Sequence, residues 1–276
     1  MINTKDCSSN NDSYFFYECA YSFLKDNLPS KIPPKDLEKY FVADNPNYRC
    51  IEDVFARFIE SAQNYQGAPK TIKFKNNEKE IREILFDYDR PQIVNKWDVE
   101  KLNKKFRKTF NVKSPDSPKS YWFKWSRSIM DSAAFLSNFK SVDEFDKFGK
   151  RFCSDLNARM ALPLLISRKI FGFGFALACD VLKELGFYKY CKPDVHLLDI
   201  FEKTHICKRD EILVFEMVTK ISEKCVEKDR SITPYKIDKI LWLISSGRYY
   251  HHNIGVPSLK NKFIDFLKSE KECWNV

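Results

Sequence analysis

Glycine is scarce in this chain, 7 among 276 residues, and none of the seven follows an Asn or Asp. Tight β-hairpins rely on such pairs because their central residues take positive φ, so a hairpin-rich β fold is disfavoured. No apolar run approaches the roughly 20 residues that a membrane-spanning helix needs, and the chain reads as a protein without a membrane partner. Nine cysteines are present, an odd number with no Cys-x-x-Cys pair. No leader-like stretch opens the chain, so reduced thiols in a cytoplasmic or nuclear setting are expected. Internal repeats, low-complexity segments and strand-type alternation are absent as well.

What is there is a globular composition, 43% hydrophobic and 31% charged. Lys and Arg number 47 against 38 Asp and Glu, a formal net charge of +9, and aromatics reach 15%. Such a balance suits a polyanionic partner, because phosphate contacts dominate nonspecific nucleic-acid affinity. A lysine-rich surface without that role accounts for the charge equally well. Charge alone does not decide.

Helical spacing dominates the pattern. Helices are expected from Tyr14 to Leu24 and over 51–63, 78–87 and 97–110, the last strongly basic. Ser114-Pro115-Asp116-Ser117-Pro118 breaks the chain, and a long helix then runs through Leu136. Its stripe of Trp122, Trp125, Ile129, Ala133 and Leu136 reads as core rather than a base-stacking face. Further helices are expected at 142–153, 156–170, 175–185, 195–203, 210–226, 234–245 and 257–268. Thr233-Pro234 is a helix start, because Thr caps a free N–H and Pro at the first position has none to lose. Gly247 is the matching stop. The fold class is all-α.

The informative segment is PLLISRKIFGFGFALACDVLKELGFYKYCKPDVHLLDIF, residues 163–201. Gly172-Phe173-Gly174 joins two apolar helical runs, and a helix starting at once after the turn directs its free N–H groups outward, where they can hold a phosphate. Arg168 and Lys169 precede it. Asp194 lies twenty residues beyond Gly174, within Lys192-Pro193-Asp194-Val195-His196 at the start of the next helix. By itself an Asp there is an ordinary N-cap. His196 either packs beside Asp194 or touches DNA. His251 and His252, lacking companion ligands, read as surface residues, and no metal site is expected.

This arrangement resembles the helix-hairpin-helix DNA glycosylase superfamily. GFGFALACDVL is similar to the hairpin and second helix of that family. PDVH resembles the Val-Asp-Val-His run of 8-oxoguanine glycosylases, with Asp194 on the catalytic aspartate and His196 on the following histidine. Ser61-Ala62-Gln63 resembles the Ser-Ala-Gln of endonuclease III-type members, whose glutamine fills the gap left by an extruded base. The close similarity covers about forty residues. It departs at Ala176, where bifunctional members carry a lysine, and in the cysteines after Asp194, whose spacing does not suit an iron–sulfur cluster.

The resemblance implies two helical lobes with a DNA-binding cleft between them: a hairpin lobe over about 55–190, and a second lobe from 1–54 plus 191–276. It implies a monomer acting on double-stranded DNA, cytoplasmic beside the nucleoid or nuclear. No cofactor is required, with a monovalent cation at the hairpin left open. The DNA-facing set is Lys169, Gly172, Phe173, Gly174, Ala176, Gln63, Asn64, Tyr65 and His196. Gln63, Asn64 and Tyr65 are the candidates for filling the space of the flipped base. The expected reaction is hydrolytic excision of a modified base by Asp194. The alternatives are a glycosylase/lyase using another lysine such as Lys169, and a hairpin module that binds DNA without catalysis.

Overall fold

The computed structural model describes residues 10–42, 48–64 and 68–270. The chain is mostly helical: α1 (Asn10–Asp26), α2 (Ile51–Ala62), α3 (Ala68–Ile72), α4 (Glu78–Ile84), α5 (Arg90–Lys96), α6 (Val99–Thr109), α7 (Tyr121–Leu136), α8 (Val142–Arg151), α9 (Leu156–Lys169), α10 (Phe175–Glu184), α11 (Val195–Lys203), α12 (Glu211–Cys225), α13 (Pro234–Ser246) and α14 (Lys260–Ser269). A 3-10 helix spans Pro34–Phe41. Among the described residues the only sheet is Arg248–Tyr249 paired antiparallel with Ile254–Gly255. No described helix is long and apolar enough to cross a membrane.

Short polar side chains set the helix starts. Asp89, Asp98, Ser120, Ser141, Asp155, Asp194, Asp210 and Thr233 each accept an N–H from the first turn of the helix that follows, a contact worth roughly 1 kcal/mol. Thr233 Oγ1 takes the Lys236 N–H at 3.1 Å. Gly247 closes the same helix at φ 63°, and a Cβ there would lie 2.1 Å from the Val256 carbonyl oxygen. Only glycine fits.

Some boundaries differ from the periodicity. The helix expected over 78–87 stops at Ile84, because Phe86, Asp87 and Tyr88 all take positive φ. The one expected from 97 starts at Val99, where the Asp98 cap fixes it. The last begins at Lys260 rather than 257. Neither α3 nor α5 was expected; the five residues of α3 are too few to show a helical period.

The chain divides into two compact units, Asn47–Leu185 and the pair of segments Met1–Pro46 and Gly186–Val276. In the first, α7 is the central element and packs on α2, α5 and α6. Its Trp122, Trp125, Ile129, Ala133 and Leu136 are all buried, as the stripe predicted. The Trp125 indole Nε1 donates to the Ile59 carbonyl at 2.8 Å, so this ring is fixed by a polar contact as well as by packing.

In the second unit α1 packs on α12 and α13, and α11 on α13. Phe16, Tyr190, Phe201, Phe215 and Tyr235 fill its core. His252 is not the surface residue its sequence context suggested. Its Nδ1 is 2.8 Å from the buried Tyr40 hydroxyl and its Nε2 is 3.2 Å from Asp36 Oδ2. Hydrogen bonds from Lys39 and His252 hold the Asp36 carboxyl below the usual carboxylate range. The pair ties the 3-10 helix to the turn after α13. His251 is exposed.

Candidate functional site

Five residues, Ile170 to Gly174, connect α9 to α10. Ile170 is buried and anchors the turn, while Gly172 carries it through φ 82°. An L-residue in that region is strained by roughly 1–2 kcal/mol. The turn is also gripped from outside. The Phe171 N–H donates to Asp131 Oδ2 at 2.9 Å, and Ser128 Oγ donates to the Phe171 carbonyl at 2.7 Å. Arg127 lies over the Phe171 ring, 4.4 Å from its centroid. A Cβ on Gly172 would sit 3.2 Å from Ser128 Oγ, so the glycine also permits this close approach.

Gly174 stands at the N-cap of α10 with extended φ −83° and ψ 174° and, as glycine, supplies no side-chain cap. α10 therefore lacks the N-cap side chain that serves each of α5 to α9. A Cβ on Gly174 would meet nothing within 4 Å, so the approach to the start of α10 is open. The positive end of a helix dipole suits an anionic group.

The residues expected to face DNA are not equally placed for it. Gly172 and Gly174 are exposed, as are Arg168 and Lys169, while Ala176 is half-buried. Phe173 is different: its ring is 4% exposed and stacks against Phe58 at 5.9 Å between centroids. Any contact it makes with DNA comes from its backbone. Gln63 is 8% exposed, and its Oε1 accepts the Phe74 N–H at 3.1 Å. Here it ties the end of α2 to the chain after α3, and filling a gap in a duplex requires that bond to break. Asn64 is exposed. Tyr65 lies outside the described residues.

Asp194 caps α11 from an extended backbone, φ −85° and ψ −179°, with Oδ1 accepting the His196 N–H at 2.9 Å. The second oxygen, Oδ2, makes no hydrogen bond to a described residue, and the side chain is only partly buried. One oxygen is structural and the other is available. His196 contributes its amide to this cap, and its Nδ1 is enclosed without a hydrogen-bond partner. Among the described residues no cluster of three or more His, Cys, Asp or Glu could hold a metal ion.

No protein-family model, curated protein or solved structure matches the chain.

Behind Asp194, Asp238 of α13 is 1% exposed and its Oδ2 accepts the Lys192 N–H at 2.7 Å. The Asp194 N–H in turn donates to the Lys192 carbonyl at 2.8 Å. Asp238 thus fixes the short turn that carries Asp194. Asp238→Ala is expected to lower unfolding free energy by roughly 1.5–3 kcal/mol, the range for a hydrogen bond to a charged group. Urea denaturation checks this, and an unchanged midpoint would show that the contact does not brace the turn.

A different polar cluster braces α10. Lys183 Nζ lies 3.7 Å from Asp180 Oδ1 and 3.7 Å from Glu184 Oε1, and all three residues are buried. Burial works against the charge on Arg57 of α2, but Asp180, Glu184 and Glu60 outweigh it and hold the guanidinium above its ordinary range. The Tyr48 hydroxyl donates to the Glu184 carbonyl at 2.9 Å, satisfying one of the last acceptors of α10. The carboxylates of α10 thus attract a cation carried by α2.

The grips on the turn were not foreseen from sequence. Lys124, Arg127, Ser128 and Asp131 do form a polar stripe at helical spacing on α7, alongside the apolar one. That stripe was a readable sign of a second role for the helix. What it would hold was not readable.

Proposed function

We propose that the protein is a DNA N-glycosylase of the helix-hairpin-helix kind, excising a modified base by hydrolysis and leaving an abasic site. The observation that carries the reading is Asp194: a helix-capping carboxylate with one oxygen committed and one free. It supports a group that orients or deprotonates water while its position stays fixed. Breaking the N-glycosidic bond develops positive charge on the sugar, and a carboxylate beside it stabilises that charge. The open start of α10 supports a phosphate contact, and a DNA-binding cleft with base extrusion belongs to the same proposal. The test is a panel of duplexes carrying different modified bases, assayed for alkali-labile sites. No abasic product from any of them would end the reading.

Water rather than an amine is the proposed nucleophile. Ala176 has a methyl group where lyase members carry their lysine, and a methyl group cannot form a Schiff base. Product strands are therefore expected to stay intact until alkali is added, with no covalent protein–DNA adduct on borohydride treatment. Lys169 provides the contrary outcome: it is exposed at the end of α9 beside a groove lined by Phe135, Phe139 and Phe148. A borohydride adduct that disappears in Lys169→Ala would make the enzyme bifunctional.

A further inference from the structure

The unit Asn47–Leu185 contains a cavity of about 210 Å³ that the excision mechanism does not use. Ala62, Ala68 and Ile72 supply apolar walls, Tyr121 and Trp125 supply aromatic ones, and Lys124 adds a cationic side chain. Ser128 and the Phe171–Gly172 stretch of the α9–α10 turn also line it. Drug-sized ligands occupy sites of about 300–1,000 Å³, so this space suits a single ring system. Flat aromatic walls favour a flat aromatic occupant, and Lys124 favours one with a negative charge close by. Trp125, 2% exposed, is fixed by packing on Phe106, 5.1 Å between centroids, and by the bond to Ile59, so only a small part of the ring lines the cavity and Tyr121 presents the larger face. The indole is thus a fixed surface and costs little ordering on binding.

A nucleotide combines these features: a planar base and a phosphate one sugar away. We propose that the cavity is a separate nucleotide site, taking one unstacked base of a strand whose backbone runs along the α9–α10 turn. The proposal rests on the DNA reading above for the identity of its ligand. It is independent of catalysis at Asp194. Stacking of a base on an aromatic side chain is sequence-tolerant because every base presents a π face, so the site serves grip rather than choice of base.

The test compares three probes: a short oligothymidylate, the same strand built from base-free deoxyribose phosphates, and free dTMP. Wild-type protein is expected to bind the base-bearing strand roughly tenfold more tightly than the base-free one. Ala68→Phe fills the cavity and should erase that ratio while leaving affinity for the base-free strand unchanged. Lys124→Gln leaves the walls intact and should weaken the base-bearing strand several-fold. It serves as the deciding variant should Ala68→Phe fail to fold by circular dichroism. Loss of dTMP binding in Ala68→Phe would identify a free nucleotide as a sufficient ligand, and a loss confined to the strand would identify DNA as the source. A folded Ala68→Phe protein that keeps the wild-type ratio overturns the proposal, as does an unaltered affinity in Lys124→Gln when that variant decides. Absence of abasic product from every modified duplex, with the ratio behaving as expected, removes the excision reading and leaves this site standing.

Discussion

Replacing Asp194 with Asn is expected to leave a folded protein that still binds DNA and to lower excision by roughly 10²–10⁴-fold, the range for a lost general base. The geometry separates the two effects. Oδ1 accepts the His196 N–H, and the asparagine carbonyl oxygen keeps that cap. What disappears is the charge and the second carboxylate oxygen, the one without a partner. Loss of charge at the helix N-terminus costs about 0.3–1 kcal/mol, so melting should shift by a few degrees at most. Asp194→Ala is the informative companion, because it removes the cap too and adds roughly 1 kcal/mol of destabilisation. Equal loss of turnover in both variants, with unequal loss of stability, assigns the chemistry to the carboxylate. A folded Asp194→Asn protein with near-normal turnover would remove Asp194 from the reaction.

Gly174→Glu should give a rarer combination: weaker DNA binding in a protein at least as stable. Backbone angles of −83° and 174° are open to any residue, and a Cβ meets nothing within 4 Å. A carboxylate at the start of α10 complements the helix dipole and is mildly stabilising, and replacing glycine also reduces the freedom of the unfolded chain. The same carboxylate repels a phosphate approaching those amides. Affinity is therefore expected to fall about tenfold or more for every duplex sequence alike. The dependence of log affinity on log salt should become shallower by about one unit for each phosphate that the variant no longer holds. Thermal melting and salt-dependent anisotropy measure the two sides. Unchanged affinity and salt slope would make the turn a structural connection only.

Local chemistry explains what the sequence disclosed. Thr233-Pro234 and Gly247 bracket α13 because capping and left-handed backbone depend on residue type more than on distant packing. The tryptophan stripe of α7 was legible for a similar reason, since four turns of a helix repeat the signal. Positive φ at three consecutive non-glycine residues, Phe86 to Tyr88, was invisible; surrounding packing imposes it against local preference. The candidate site shows the same split. Gly172, Gly174 and Asp194 were chosen as candidates from residue type and order alone. Asp238 supports the Asp194 turn from forty-six positions away, and Asp131 grips Phe171 across forty. Neither pairing has a local pattern to betray it. Gln63 carries a second role that no local pattern disclosed, since its side chain holds the Phe74 N–H across eleven positions.

The division of the chain has a consequence during synthesis. The unit Asn47–Leu185 is continuous, and every helix it needs has been made once Leu185 is joined. The other unit is not: α1 packs on α12 and α13, whose first residues are Glu211 and Pro234. At roughly 5–20 residues per second, α1 waits about ten to forty seconds after it is made before α12 exists. Its apolar face, including Phe16, Ala20 and Leu24, spends that interval without its final neighbours while the inserted unit can already be folding. This end of the nascent chain is where a ribosome-associated holdase should bind, and moving α1 to the C-terminus by circular permutation should shorten that dependence.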